Sequence, residues 1–131
     1  MNNFPIQNDK VLEQIIEHYK RPKHKETLAR WTYKQEAERP MCGDDLTIYV
    51  LMDDDVVKKA SYDGVGCSIS QGCADMICER IIGLNENELK NLGFDIFDLK
   101  HSPISKGRYK CATLSLEAIN NIGNKNEKSI N

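Results

Sequence analysis

The sequence predicts one domain that mixes α-helices with a short run of β-strands, and three patterns carry that reading. Leu46, Ile48, Val50 and Met52 alternate with Thr47, Tyr49 and Leu51, as in a strand with one better-buried face. Val11, Leu12, Ile15, Ile16 and Tyr19 recur at helical spacing ahead of Pro22. Ala74, Ile77, Cys78, Ile81 and Ile82 do the same after a glycine-rich turn. At 131 residues the chain is long enough to bury a core without disulfide staples.

Taken in order, Asp9 is a candidate N-cap for the first helix, which Pro22 stops because proline has no amide proton and disfavours helix at the residue before it. Between Thr27 and Glu38 the β-favouring Trp31, Thr32 and Tyr33 suggest a strand. The strand pattern after Pro40 breaks at Asp53-Asp54-Asp55 and returns over Val56 to Tyr62, as a hairpin would. The triple Asp lacks the spaced ligands, central glycine and distal Glu of an EF-hand, so a solvated turn is expected. Gly64 and Gly66 permit a sharp turn around Cys67, and Ser70 is a candidate cap for the second helix, with Gly83 near its end. Asn85-Glu86-Asn87-Glu88 reads as a helix start, running to Leu92, and Phe94 to Leu99 as a further helical turn. A last helix is expected from about Lys106 to Asn121, ended by Gly123. Residues 1–123 are therefore expected to form one domain, and 124–131 a flexible polar tail.

The net charge of −2 offers no basic field for nucleic acid, and no apolar run approaches the roughly 20 residues needed to span a bilayer. Met1-Asn2-Asn3-Phe4-Pro5 has no basic segment followed by an apolar run, so no signal peptide is read and the cytoplasm is the expected compartment. There, five cysteines suggest metal or redox chemistry more than disulfides.

Three of those cysteines stand at junctions between loops and regular elements. They are Cys42 in Met41-Cys42-Gly43-Asp44, Cys67 in Gly64-Val65-Gly66-Cys67-Ser68, and Cys111 in Arg108-Tyr109-Lys110-Cys111-Ala112-Thr113. With Asp44 they supply three thiolates and a carboxylate, the ligand count of a four-coordinate site for zinc or iron. The spacings, 25 and then 44 positions, are too long for a zinc finger or ribbon. A carboxylate holds such ions less firmly than a thiolate, so Asp44 is the arm expected to open, which points to reactivity rather than to a closed structural site. A purely structural zinc site on the same residues is the alternative.

These local sequences resemble the three cysteine motifs of the U-type iron–sulfur cluster assembly proteins, the family of SufU, IscU and the N-terminal domain of NifU. Glu17-His18-Tyr19-Lys20-Arg21-Pro22 resembles the end of that family's first helix, and the hairpin from Leu46 to Tyr62 falls where the family places strands. The resemblance implies an α+β fold: a small antiparallel sheet of about three strands, helices packed on one face and a metal site at one end. It implies Cys42, Asp44, Cys67 and Cys111 as ligands and a pyridoxal-phosphate cysteine desulfurase as partner. Two subtypes differ in chemistry. SufU-like members hold Zn2+ and relay persulfide sulfur, whereas IscU-like members assemble a transient [2Fe–2S] cluster on the same ligands. Lys110-Cys111-Ala112-Thr113-Leu114-Ser115 resembles SufU, because IscU proteins carry His before the third cysteine, while the 44-position gap lacks the usual SufU insertion. Ligand-adjacent chemistry constrains mechanism more directly than loop length, so sulfur relay to a downstream scaffold or apo-protein is the expected function, cluster assembly the alternative.

A free thiol is mostly protonated at neutral pH and a metal-bound one is not. Cys111 is the expected persulfide acceptor, near the start of the last helix and close to Arg108 and Lys110, with Arg108 as electrostatic support for the transferred sulfur. Cys78 reads as a core thiol. Cys73 reads as helix packing, with a spare thiol or a disulfide to Cys67 as its sharper alternative. His18 reads as a local helix-end residue, His101 as an exposed loop residue, and Trp31 as packing.

Overall fold

Strand pairing fixes the architecture. Helix α1 (Pro5–Lys20) precedes β1 (Tyr33–Arg39), β2 (Asp44–Asp53) and β3 (Val56–Val65), and α2 (Ser68–Arg80), α3 (Glu86–Lys90), a 3-10 turn (Phe94–Phe97) and α4 (Leu114–Asn120) follow. The structure, a computed structural model, describes residues 5–40, 43–97 and 110–122. The strands form one antiparallel sheet in the order β1-β2-β3, with helices packed on it, which is the expected α+β class. The tail from 124, His101 and Leu99 lie outside the described residues.

Alternation does its work on β2: Leu46, Ile48 and Val50 are fully buried on the helix-facing side, while Asp45 and Asp53 stay exposed. The hairpin to β3 closes at Asp53↔Val56, leaving Asp54 and Asp55 as a two-residue loop. Both take positive φ (60° and 67°), the requirement of the primed hairpin turn that matches strand twist. The triple Asp is thus a turn that Asp tolerates better than most side chains.

Four expectations shift. Helix α1 starts at Pro5 rather than Asp9, since proline is well suited to a first helical position. Strand β1 starts at Tyr33, so Trp31 lies ahead of it, with Lys34 Nζ 6.0 Å from its ring centre. Tyr19 and Ile82, read as core positions, are 42% and 43% exposed. The last helix is interrupted: 110–112 are helical, Thr113 breaks the run, and α4 begins at Leu114. Thr113 Oγ1 donates to the Lys110 carbonyl at 3.2 Å, a side-chain bond of the kind that competes with regular helix.

Helix α2 is the centre of the core. Every residue from Ile69 to Cys78 is buried, although the stretch contains Ser70, Gln71 and Asp75. Gly72 explains how α1 packs so close: a Cβ there would lie 2.2 Å from the carbonyl oxygen of Ile15. On α3 the capping box is complete, with Asn85 accepting from the Glu88 amide at 2.8 Å and Glu88 accepting from the Asn85 amide at 2.9 Å. Asn120 of α4 donates to the carbonyls of Leu89 and Leu92, at 3.0 and 3.2 Å, and ties that end to the bundle.

Buried acids give the fold an alkaline weakness. Burial and the neighbouring Glu86, to which Tyr33 donates at 2.5 Å, push the Tyr33 phenol up to about 12. Burial also raises Tyr62, Cys73 and Cys78. The folded chain keeps these protons to higher pH than the unfolded chain does, so their stabilisation is complete below the unfolded range and falls as pH rises. The metal-free protein is therefore expected to lose stability from about pH 9 upward, by roughly 1.4 kcal/mol per pH unit for each group titrating only in the unfolded chain. Tyr33→Phe should flatten that slope between about pH 10 and 12; denaturant midpoints across pH measure it, and an unchanged slope would refute the assignment.

Candidate metal centre

One end of the sheet gathers the donors. Asp44 is the first residue of β2, Cys67 follows the end of β3, and Cys111 sits in the helical turn ahead of α4. One donor atom from each lies within 4.8 Å of the other two. Asp44 and Cys111 are each 1% exposed and Cys67 is half-buried. Cys42 and Arg108, the remaining sequence candidates, lie outside the described residues.

Local chain geometry explains the convergence. Cys67 is the N-cap of α2, with extended backbone, and its sulfur accepts the Ser70 amide at 3.4 Å. The cap is therefore the cysteine rather than Ser70, which sits three residues into the helix. Gly64 stands opposite Leu46, its φ of +131° bringing β3 close against β2 at the level of Asp44 and Asp45. Gly66 is needed for space: a Cβ there would fall 2.6 Å from Asp44 Oδ1 and 2.5 Å from Ser70 Oγ.

Among the described residues, the carboxylate of Asp44 is held through one of its two oxygens. Its Oδ1 accepts from the Cys67 amide at 2.9 Å and from the Ser70 hydroxyl at 3.0 Å. Its Oδ2 is buried and has no hydrogen-bond partner among the described residues. No Lys, Arg or His among them pairs with it either. A buried carboxylate oxygen without partner or counter-ion is costly, and a cation beside two sulfurs is the group that would relieve it. Zinc with Zn–S bonds of ~2.3 Å holds tetrahedral donors ~3.8 Å apart, so the observed set fits after shifts of about 1 Å at most. Thiolate with carboxylate is also a donor set for iron.

The other two cysteines do not join. Cys73 and Cys78 are fully buried free thiols, both pushed up by burial. Cys73 packs in the core, and a bond to Cys67 is ruled out by helix geometry, because six residues of α-helix separate Cα atoms by ~9 Å. His18 has a larger role than local helix-end packing: its Nδ1 lies 2.7 Å from Oδ2 of buried Asp75. Sequence reading missed Asp75 and the second role of Ser70. An acid in the middle of an apolar helix face was the available signal for the first; only the tertiary contact reveals the second.

Comparison with known proteins gives these residues their setting. The profile of the NifU-like N terminal domain family matches residues 10–128. The iron–sulfur cluster assembly scaffold protein IscU of Thermotoga maritima is 38% identical over 80 residues, covering 61% of this chain and 56% of that protein's length. The zinc-dependent sulfurtransferase SufU of Bacillus subtilis is 29% identical over 136 aligned positions, covering 89% of this chain and 92% of that one. A crystal structure from Fervidobacterium islandicum, described as an iron–sulfur cluster assembly scaffold for the SUF system, superposes with a TM-score of 0.65 at 25% identity, over 84% of this chain and 94% of that one. With a family profile that spans most of the sequence and a fold shared with such a scaffold, the chain belongs to the NifU-like N-terminal domain family of iron–sulfur cluster assembly proteins.

Proposed function

We propose that this protein is a zinc-dependent acceptor and relay of persulfide sulfur, holding Zn2+ through Cys42, Asp44, Cys67 and Cys111. The observation that carries the reading is the buried Asp44 carboxylate, which offers an oxygen within 4.8 Å of the sulfurs of Cys67 and Cys111, is tethered through Oδ1 and has no partner on Oδ2 among the described residues. When bound, zinc keeps the cysteines as thiolates and protects them from uncontrolled oxidation.

The partner is a pyridoxal-phosphate cysteine desulfurase that carries sulfur as a cysteine persulfide. The Cys111 thiolate attacks the terminal sulfur of that persulfide; a new S–S bond forms on Cys111, the old one breaks, and the desulfurase cysteine leaves as a thiolate. Cys111 is almost fully covered, so docking would have to uncover its sulfur, and Asp44, the carboxylate arm of the ligand set, would be the one to open. Arg108 supplies positive charge for the transferred sulfur. The recipient is a downstream iron–sulfur scaffold or apo-protein, and the setting is the cytoplasm. No helix among the described residues is long and apolar enough to cross a membrane.

A second reading is favoured by the 44-position gap between Cys67 and Cys111 and by the relative named as an IscU scaffold: a transient [2Fe–2S] cluster on the same ligands. Metal analysis and a persulfide-transfer assay with the protein's own desulfurase separate the two. Relay predicts about one zinc per chain, desulfurase stimulation lost on chelation, and a persulfide mapped by mass spectrometry to Cys111 and absent from Cys111→Ser. A persulfide that persists in Cys111→Ser would move the acceptor role to Cys42 or Cys67. A visible [2Fe–2S] chromophore on anaerobic reconstitution, without zinc-dependent stimulation, would favour the scaffold instead.

A further inference from the structure

We infer that Ser70 is a positioning residue that makes Asp44 a single-oxygen ligand and keeps its carboxylate in place when that oxygen lets go. The inference rests on the metal-site reading above and concerns a residue outside the ligand set.

Ser70 is fully buried at the third position of α2, one turn from the Cys67 cap. Its hydroxyl carries one proton and has three groups in reach, Asp44 Oδ1 at 3.0 Å, the Cys67 carbonyl at 3.1 Å and, at a longer 3.8 Å, Cys67 Sγ. The Cys67 carbonyl already accepts the Gln71 amide at 3.1 Å, whereas a carboxylate makes the stronger, charge-assisted bond. The proton therefore goes to Asp44. With the Cys67 amide on the same oxygen at 2.9 Å, both in-plane lone pairs of Oδ1 are taken. Only Oδ2 remains to bind an ion, and bidentate coordination is suppressed. Gly66 leaves room for both groups, since a Cβ there would fall 2.5 Å from Ser70 Oγ and 2.6 Å from Asp44 Oδ1.

The same turn of helix sets the sulfur. The Ser70 amide donates to Cys67 Sγ at 3.4 Å while its hydroxyl donates to Asp44, so one residue holds a thiolate arm and a carboxylate arm in fixed relation. Hydrogen bonds to a ligating group fix its orientation, and their loss typically lowers metal affinity by about 10–100-fold. Ser70 ties the arm that opens to the arm that stays.

The test uses the full chain loaded with Co2+ as an optical reporter and with Zn2+ for affinity, comparing wild type, Ser70→Ala, Ser70→Thr, Asp44→Ala and Ser70→Ala/Asp44→Ala. Alanine is smaller than serine and favours helix, so Ser70→Ala keeps the fold. Ser70→Ala is expected to weaken the Co2+ ligand-field bands as coordination rises from four to five, and to speed zinc release to a chelator by about tenfold or more. Ser70→Thr, which keeps the hydroxyl, should restore both. In the Asp44→Ala background Ser70→Ala should change neither, because its effect runs through Asp44. Unchanged spectra and release rate in Ser70→Ala would overturn the role of Ser70 while leaving the metal site standing. An effect that persists without Asp44 would overturn it as well. Failure of the wild-type protein to bind either ion would instead overturn the metal-site reading.

Discussion

Asp75→Ala is expected to destabilise the metal-free protein by about 3–5 kcal/mol, a large part of the stability of a domain this size. Asp75 is fully buried in α2 and both its oxygens are engaged. Oδ1 accepts from the amides of Lys23 and His24, at 2.9 and 2.8 Å, and Oδ2 lies 2.7 Å from His18 Nδ1. A carboxylate only accepts, so that contact places the ring proton on Nδ1. Alanine would leave two backbone amides and a half-buried imidazole without their acceptor, each costing about 1–3 kcal/mol. The loss would spread, because the same segment is stitched to β3: Tyr62 donates to the His24 carbonyl at 3.0 Å and accepts from the Glu26 amide at 2.9 Å. Asp75→Asn keeps one carbonyl oxygen for the amides and should cost less, about 1–2 kcal/mol. Urea titrations of both variants measure this. An alanine variant within 1 kcal/mol of wild type would show that the acid is not the anchor described.

Gly64→Ala should cost about 3 kcal/mol or more and weaken metal binding with it. Its φ of +131° is one that L side chains rarely adopt, and a Cβ there would lie 2.1 Å from the Asp45 carbonyl oxygen and 3.0 Å from the Leu46 Cα. Those are backbone atoms of the paired strand and cannot swing aside, so β2 and β3 would have to part where they carry Asp44 and lead into Cys67. Gly43 is the control. It also has positive φ, at +74°, but a Cβ there meets nothing within 4 Å, so Gly43→Ala should cost only backbone strain, about 1 kcal/mol. Thermal melting and zinc affinity on the pair check the contrast; equal effects would refute it.

Periodicity was enough for the elements whose two faces differ. On β2 the alternating Leu46, Ile48 and Val50 mark the core side directly, and Asn85 and Glu88 mark the start of α3 through a local hydrogen-bond pattern. Periodicity failed where tertiary contact overrode it. Helix α2 is enclosed on nearly all sides, so its Ser70, Gln71 and Asp75 are buried despite their polarity, and Ile82 just past its end is exposed despite its apolarity. The interruption at Thr113, where the side chain bonds to the Lys110 carbonyl, is not marked by any apolar spacing.

The candidate site divides in the same way. The residue types, their local motifs and their long separations, all readable along the chain, mark Cys42, Asp44, Cys67 and Cys111 and place the protein in its family, because thiolate chemistry is carried by residue identity. What only the folded chain decides is how Asp44 is held. Two donors on Oδ1, none among the described residues on Oδ2, and the room that Gly66 leaves beside them follow from the register of β2 against β3 and the first turn of α2. Those contacts join residues more than 20 positions apart, and such distances are set by packing rather than by sequence spacing.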